Sequence, residues 1–231
     1  MNSPLILLLE TATSICSCAL ALGEQVVAYR QSDIPNAHSK CLSVMIDDLF
    51  KQSQYDYSDL SCVAVSKGPG SYTGLRIGVS TAKGVCYALK LPLISIDTLS
   101  ILAFAAHKRF EHCLALPMID ARRMEVYCAI YDSDFNIIKP VSAEIIEGNI
   151  FDQYIKQTDK VVICGDGAAK CKSVLANKNY IFAEEILLSS KDMSAMAYKK
   201  FINKDYEDLA YFEPYYLKDF IAAPSHIKGL Y

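Results

Sequence analysis

The sequence predicts an α/β fold that is built twice along the chain. Short apolar segments of strand type alternate with segments whose apolar residues recur at helical spacing. Three strands followed by helix–strand units make up the first half, and the same order of elements returns in the second. With 231 residues, of which 52% are hydrophobic and 21% charged, the chain can bury a core in each half. We therefore expect one lobe over residues 1–108 and a second over residues 109–231.

The first half opens with three predicted strands. Residues 5–10 form an apolar run, and residues 15–22 and 25–30 flank Gly23-Glu24, a pair suited to a two-residue hairpin turn. Apolar residues at helical spacing then predict a helix over residues 39–51. The further predicted elements are a strand over 62–66, a helix over 71–89, a strand over 91–96 and a helix over 98–109.

The second half repeats this order. A predicted strand over residues 114–120 ends in a carboxylate, as residues 5–10 do, and strands over 125–131 and 136–146 flank turn residues 132–134. A helix over 150–157, a strand over 161–164 and a helix over 190–202 are expected to follow. From Asp205 the chain is rich in aromatic residues, which predicts a tail that packs back on the body. These residues are Tyr206, Tyr211, Phe212, Tyr215, Tyr216 and Phe220.

Composition and charge exclude several classes of protein. A net charge of −3 argues against a strongly basic nucleic-acid binder, because phosphate contacts need clustered lysine and arginine. The apolar runs are too short for a membrane span, and no secretory signal is expected. The nine cysteines form no C-x-x-C pair and the four histidines are scattered, so the spacing of a zinc site is missing. Free, buried thiols in a reducing cytosol are the simplest interpretation.

A glycine-rich segment between Gly68 and Gly78 follows a predicted strand and opens a predicted helix. This layout is typical of phosphate-binding loops, where free N–H groups at a helix start attract anions. The spacing matches neither G-x-x-x-x-G-K-[ST] nor G-x-G-x-x-G, because Thr73 stands where each motif needs its next glycine. We therefore favour a tight turn in which Ser71 or Thr73 caps the helix, with phosphate binding as the alternative.

The predicted helix that follows carries small residues on one face. Gly74, Gly78 and Ala82 are spaced four apart, with Thr81 and Val85 beside them. Glycine inside a helix costs about 1 kcal/mol relative to alanine, so two glycines need a compensating close contact. That contact is made either with the protein's own sheet or with a helix of another chain. The sparse charge on this helix favours a partner interface at Gly74, Gly78, Thr81, Ala82 and Val85.

The motifs of the chain resemble those of the TsaB (YeaZ) family. The strongest is the segment 67–78, with residues 6–13, 37–39, 119–122, 125–127 and 213–217 in support and in the family's order. The motif residues singled out in the strongest segment are Gly68, Pro69, Gly70, Ser71, Tyr72, Thr73 and Arg76.

The resemblance implies a two-lobed actin-like fold (ASKHA, ribonuclease H-like), in which each lobe is a mixed sheet with flanking helices. It implies a cytoplasmic partner subunit for threonylcarbamoyl transfer to adenosine 37 of tRNAs that read codons beginning with A. The implied partners are a TsaD-like catalytic subunit, of which TsaB is a non-catalytic paralogue, and a TsaE-like ATPase. A homodimer is implied when the chain is alone, and contact with tRNA only through the complex. The family's partner surface includes the helix after the glycine motif.

The residues at the superfamily's phosphate loops depart from the active pattern. Glu10, Thr11 and Ala12 stand where D-x-G is typical, and the segment 120–123 lacks the glycines of the second loop. His38 is followed four residues later by Leu42, so the metal-binding H-x-x-x-H of TsaD-like homologues is missing. We expect no catalytic residue, no metal and no cofactor for this chain, with ATP used by its partners. A residual cleft is predicted at Glu10, Thr11, Asp120, Arg122, Gly165 and Gly167.

The alternative function is a catalytic actin-like ATPase or phosphotransferase that acts on a small molecule. It would use Glu10 and Asp120 as a carboxylate pair that binds Mg²⁺ across the cleft. The favoured interpretation is that each carboxylate accepts hydrogen bonds from backbone N–H groups at its own strand end. Specific capture of tRNA by the chain alone is not expected.

Overall fold

The computed structural model describes residues 3–34 and 37–218. The first of its two sheets has five strands in the order β3-β2-β1-β4-β5. Strands β1, β2 and β3 form an antiparallel meander, and β4 and β5 continue the sheet parallel to β1. Strand β1 is buried along its whole length, as its uninterrupted apolar sequence predicts for a central strand covered on both faces. The bounds are β1 (Leu5–Glu10), β2 (Cys16–Leu22), β3 (Gln25–Ser32), β4 (Leu60–Gly68) and β5 (Leu93–Asp97).

The second sheet repeats the topology of the first. Its order is β10-β9-β6-β7-β8, in which β6, β7 and β8 form the meander and β9 and β10 run parallel to β6. The bounds are β6 (Leu114–Asp120), β7 (Glu125–Tyr131), β8 (Ile137–Ile145), β9 (Val161–Cys164) and β10 (Tyr180–Ala183). The predicted α/β fold with a duplicated element order, each half a mixed sheet, is therefore confirmed.

The helices form layers on the sheets. Helices α1 (His38–Lys51) and α2 (Tyr72–Leu89) cover one face of the first sheet, where the alternate residues of β1 and β2 form a core with them. Helix α3 (Thr98–His107) packs between the two sheets. The second half adds a single turn, α4 (Ala168–Cys171), and α5 (Ser194–Ile202).

One continuous core joins the two sheets. It combines the second face of β1 with residues of α3, β6 and β9, and α5 closes it from the far end of the chain. Helix α5 packs against β1, β3 and β5, so an element from the second half of the sequence covers the first sheet. The predicted division at residue 108 falls between α3 and β6 and stays a prediction.

The sequence analysis missed or misassigned three elements. The predicted helix over 150–157 is wrong, because only a 3₁₀ turn at Asp152–Tyr154 forms. There Phe151 is fully buried, and the carboxylate of Asp152 accepts hydrogen bonds from Asn177 of another loop and from Tyr180 at the start of β10. Strand β10 and helix α4 were not predicted. Each has four residues, too few for a periodic pattern, and the apolar run of β10 was missed although the equally short β9 was predicted from its own apolar run.

Candidate functional site

The loop after β1 occupies the position of the predicted first phosphate loop, and it is anchored by a buried carboxylate. Glu10 is fully buried, and its Oε1 accepts hydrogen bonds from the backbone N–H of Ala12 (2.7 Å) and from the hydroxyl of Ser66 (2.8 Å). Its Oε2 has no hydrogen-bond partner among the described residues. Burial raises the pKa of Glu10 to about 7, against the lowering effect of these hydrogen bonds.

The start of α2 fills the space that a phosphate would need beside this loop. The N–H of Ser71 donates to the carbonyl of Ala12 (2.7 Å), and the hydroxyl of Thr11 donates to the carbonyl of Gly74 (2.8 Å). A Cβ at Gly70 or Gly74 would collide with the carbonyl of Ala12 or of Thr11, respectively. These glycines therefore bring the helix against the protein's own loop. Of the two predicted caps, Ser71 is the one used, since its Oγ accepts from the N–H of Gly74 at 3.2 Å.

Most of the residues predicted to form the partner interface lie on the face of α2 that packs against the protein's own loop and first sheet. Gly78 faces the same loop, where an added Cβ would collide with the hydroxyl oxygen of Thr11. Ala82 is fully buried in the core against the first sheet. Gly74, Gly78 and Ala82 are thus used by contacts within the chain, and the prediction that they pack against another chain is wrong. Thr81 and Val85, which are half-buried, lie at the border of the opposite face.

The opposite side of α2, which we call the outer face, carries a second set of small residues. Gly84 lies at its centre, and a Cβ built there meets no atom within 4 Å. Ile77 is half-buried and Ala88 is exposed. The outer face consists of Thr73, Ile77, Ser80, Thr81, Gly84 and Ala88. The sequence analysis missed Gly84, although its spacing of seven from Ile77 and four from Ala88 was available as a signal.

In the second lobe, the side chain of Lys170 binds the residues that stand at the position of the second phosphate loop. Asp120 is exposed and forms an ion pair with Lys170, and its Oδ1 also accepts the N–H of Arg122 at 2.7 Å. Lys170 donates further to the carbonyls of Arg123 (2.8 Å) and Glu125 (2.7 Å). The ammonium group of Lys170 therefore fixes the loop between β6 and β7 by binding carbonyl oxygens at its end.

The predicted glycine pair of the residual cleft also has a packing role. Gly165 has a φ of +94°, and a Cβ there would collide with the carbonyl of Met118. A Cβ on Gly167 would come within 3.0 Å of the backbone of Ile119 and of the side chain of Val126. Both glycines let the chain pass close to β6 and β7, and their N–H groups donate to the carbonyls of Ile186 and Met118.

These contacts decide whether the predicted residual cleft fits a nucleotide. The backbone N–H groups of Ala12, Ala121 and Arg122 already donate to the chain's own oxygens, so these three are not available to a phosphate. The predicted carboxylate pair was Glu10 and Asp120. Each of these two side chains is bound by different residues, so no shared hydrogen-bond partner joins them. The residues at these positions do not fit a bound nucleotide of the kind that the fold implies.

His38 has a supporting role at the same loop. Its ring is buried, and Nε2 lies 2.9 Å from the carbonyl of Thr13, so this nitrogen carries the proton that is donated. Over residues 3–34 and 37–218, no cluster of three or more histidine, cysteine, aspartate or glutamate side chains has the geometry of a metal site. All nine cysteines are free thiols.

The aromatic tail returns to the first lobe, and its residues 207–218 form what we call the C-terminal strap. Its start is fixed by the N–H of Glu207, which donates to the carbonyl of Leu93 (2.9 Å). Lys83 of α2 then donates to the carbonyls of Ala210 (3.1 Å) and Phe212 (3.0 Å). The described part of the tail thus contacts the body, but Tyr206, Tyr211 and Tyr215 remain exposed, so the packing of the aromatic tail as a whole stays a prediction. Phe220 lies outside the described residues.

A contact near the end of the strap explains why residue 68, the first of the motif, is a glycine. The N–H of Tyr215 donates to the carbonyl of Lys67 (2.7 Å), and a Cβ on Gly68 would collide with the carbonyl of Tyr215. Three residues further on, Lys218 binds both carboxylate oxygens of Glu125, at 2.6 and 2.7 Å, on the second lobe. The strap therefore runs from the first lobe to the second beside the closed loops. Within the described ranges, no helix has the length and apolar character needed to cross a bilayer.

The comparisons with known proteins agree with this architecture. The family model described as TsaD, tRNA N6-adenosine threonylcarbamoyltransferase, matches residues 32–222. The tRNA threonylcarbamoyladenosine biosynthesis protein TsaB of Escherichia coli (strain K12) is 30% identical over 222 residues, which are 94% of this chain and 96% of the relative. The protein of the same name from Buchnera aphidicola subsp. Acyrthosiphon pisum (strain APS) is 27% identical over 209 residues, 88% of this chain and 92% of the relative.

Solved structures establish the fold. YeaZ from Pseudomonas aeruginosa superposes with a TM-score of 0.80 at 23% identity, covering 93% of this chain and 100% of that one. The activator of 2-hydroxyisocaproyl-CoA dehydratase from Clostridium difficile reaches a TM-score of 0.53 at 10% identity, with 88% and 98% covered. The predicted actin-like architecture is thus confirmed. The motifs, the near full-length relatives and the duplicated sheets together show that this chain belongs to the TsaB (YeaZ) family.

Proposed function

We propose that this chain is a non-catalytic partner subunit in the threonylcarbamoyl modification of adenosine 37 of tRNAs that read codons beginning with A. It acts by forming a heterodimer with a TsaD-like catalytic subunit through the outer face of α2. The name of its relatives, tRNA threonylcarbamoyladenosine biosynthesis protein, supports the pathway. At both phosphate-loop positions the chain's own residues bind one another, which supports a role in which this chain does not catalyse a reaction.

The observation that carries the partner role is the open glycine in the middle of α2. Glycine inside a helix costs about 1 kcal/mol relative to alanine. At Gly74 and Gly78 this cost is offset by close contacts within the chain, but at Gly84 an added Cβ would meet no atom of the described residues within 4 Å beyond its neighbours and the backbone of its own helix. The approach of another backbone would make use of the missing side chain at that position. The neighbouring Thr81 and Ala88 are small enough to admit a second helix at short distance.

The other components follow from the same proposal. A TsaE-like ATPase is the third member of the complex, and ATP is consumed by the partners and not by this chain. The complex, and not the isolated chain, binds tRNA, which agrees with a net charge of −3. In the absence of the catalytic subunit, two copies of this chain associate through the same face. The site of action is the cytoplasm.

Two substitutions at Gly84 test the surface. Gly84→Ala adds one methyl group, which would meet no other side chain of the described residues within 4 Å, and Gly84→Leu adds a full side chain that projects into the same open space. We expect Gly84→Leu to weaken binding to the TsaD homologue of the same organism at least about tenfold in titration calorimetry, with Gly84→Ala in between. Ala176→Leu, an equally exposed position on the second lobe, is the matched control and should bind normally. An unchanged dissociation constant for Gly84→Leu contradicts the proposed surface.

Complementation tests the function itself. The wild-type chain should restore threonylcarbamoyladenosine in the tRNA of a strain that lacks its own TsaB, and Gly84→Leu should restore less. Titration of the isolated chain with Mg-ATP separates the proposal from the ATPase alternative. Micromolar binding with turnover, together with failed complementation, would favour a phosphotransferase.

A further inference from the structure

A cleft of about 380 Å³ lies between α2 and the C-terminal strap, next to the outer face. Ser80 belongs both to the outer face and to the lining of this cleft, so the two surfaces are continuous. One wall is cationic and the other is formed by the strap. The lining residues are Arg76, Val79, Ser80, Lys83, Phe212, Glu213, Pro214 and Tyr216.

The guanidinium of Arg76 is held in place by two tyrosines. Its carbon lies 4.3 Å from the ring centre of Tyr72 and 5.9 Å from that of Tyr216. Its Nε donates to the hydroxyl of Tyr216 at 3.1 Å, and the two rings contact each other with centroids 4.8 Å apart. An exposed arginine normally loses side-chain entropy when it binds a partner, and this stacking has fixed the side chain beforehand.

The guanidinium of Arg76 has no ion-pair partner in the described part of the chain, although the pKa of Arg76 is raised by its hydrogen bond to Tyr216 and, more weakly, by the charge of Glu213. The arginine side chain is exposed and forms no ion pair within residues 3–34 and 37–218. The other cation of the wall, Lys83, is directed at two strap carbonyls. Because Nε of Arg76 is engaged by Tyr216, the two terminal nitrogens remain as a planar pair of donors.

We propose that Arg76 is a receptor for a carboxylate group of the catalytic partner, at the edge of the heterodimer interface. This inference rests on the proposed function, because it takes the outer face of α2 to be covered by that partner. The planar fork of an arginine matches the two oxygens of a carboxylate, and arginine is enriched among the residues that contribute most to binding at interfaces.

Charge around the cleft favours a carboxylate over a nucleic-acid phosphate. Among the described lining residues of the cleft, Glu213 is the acid. Its negative charge opposes a polyanionic backbone more strongly than a single carboxylate, which needs only the terminal nitrogens of Arg76. Tyr216 acts as a positioning residue, because its hydroxyl and ring fix the direction of the fork.

Substitution of Arg76 tests the receptor through the affinity of the full-length chain for the TsaD homologue. We expect Arg76→Gln, which stays polar but is shorter and carries no charge, to weaken binding by about 30-fold or more. Arg76→Lys should recover only part of this loss, because it restores the charge and not the fork. Tyr216→Phe should weaken binding a few-fold. Arg109→Gln, an exposed arginine of the second lobe, is the matched control and should bind as the wild type does.

Charge reversal identifies the group that is bound. Arg76→Glu should abolish binding, and one aspartate or glutamate of the partner, changed to lysine, should restore it. Melting curves of each variant alone establish that it is folded. If Gly84→Leu disrupts the complex while Arg76→Gln leaves it intact, this inference fails and the proposed function stands. If Arg76→Gln spares the heterodimer but weakens tRNA binding by the assembled complex, the receptor takes phosphate and the inference is overturned.

Discussion

The two sides of α2 carry similar residues and have opposite surroundings. On the inner side, Gly74 and Gly78 touch the loop after β1 so closely that a methyl group would collide. On the outer side, Gly84 faces open space. The same residue type therefore stabilises the folded chain at one position and destabilises it at another. Glycine in a helix indicates a close neighbour, and only the surroundings show whether that neighbour is the same chain or a different one.

The largest difference between the two sides is expected for Gly78→Leu. The new side chain must displace Thr11, whose hydroxyl holds the carbonyl of Gly74. Forcing extra atoms into a packed site usually costs about 1–3 kcal/mol, and a leucine in place of glycine should exceed the upper end of that range. Urea denaturation of the isolated chain measures this loss. Gly84→Ala is the matched change and should instead raise the free energy of unfolding by up to about 1 kcal/mol. Equal effects at both positions would contradict the comparison.

The inner side should also show a pH dependence that originates at Glu10. Its pKa is about 7 in the folded chain against an ordinary value of 4.5. Between these two values the unfolded chain has released the proton that the folded chain retains, so stability falls as the pH rises from about 4.5 through 7. A shift of this size corresponds to about 3 kcal/mol between pH 4 and pH 8. Denaturation across this range should show the slope in the wild type.

Glu10→Gln should remove that slope. An amide keeps the acceptor for Ala12 and Ser66 and carries no charge into the buried site. We therefore expect the variant to be more stable than the wild type at pH 8. The exposed Asp120 provides the control, since Asp120→Asn should leave the slope in place. A slope that persists in Glu10→Gln would assign the titration to another group.

The smallest effect is expected on the flank of α2 that the strap covers. Lys83→Met removes the ammonium group that binds two strap carbonyls, at a cost of about 1 kcal/mol for a half-exposed pair of hydrogen bonds. Amide exchange should accelerate in residues 207–216 and remain unchanged in β6 and β9. Lys178→Met, at an exposed loop position, should change neither. If exchange in the strap is unaltered, Lys83 does not hold it.

Most of the fold could be predicted from the sequence, because the spacing of apolar residues in long strands and helices is visible in the sequence itself. Strands β1, β6, β7 and β9 have the predicted bounds, and Gly23-Glu24 forms the predicted turn. Strand β10 was missed although its apolar run is as long as that of β9, whereas the 3₁₀ turn at Asp152–Tyr154 depends on tertiary contacts that three residues do not encode.

The candidate site was less predictable for a related reason. Helix α2 has small residues on two faces, and the sequence does not show which face meets the sheet. The segments 67–78 and 213–217 are both conspicuous in the sequence, yet nothing in either indicates that Tyr216 lies on Arg76. Contacts across 140 positions of the chain depend on the path of the strap, which local patterns do not encode.

The position of α5 has a consequence for synthesis on the ribosome. The first sheet is complete once β5 has been made, and α3 then packs on the face that belongs to the shared core, but the part of this face against which α5 packs is covered only when Ser194–Ile202 arrives. Throughout translation of the second half, the nascent chain therefore carries a sheet whose inner apolar face is incompletely covered. Folding is completed only when this last helix docks, and until then the partly uncovered face makes the nascent chain prone to association.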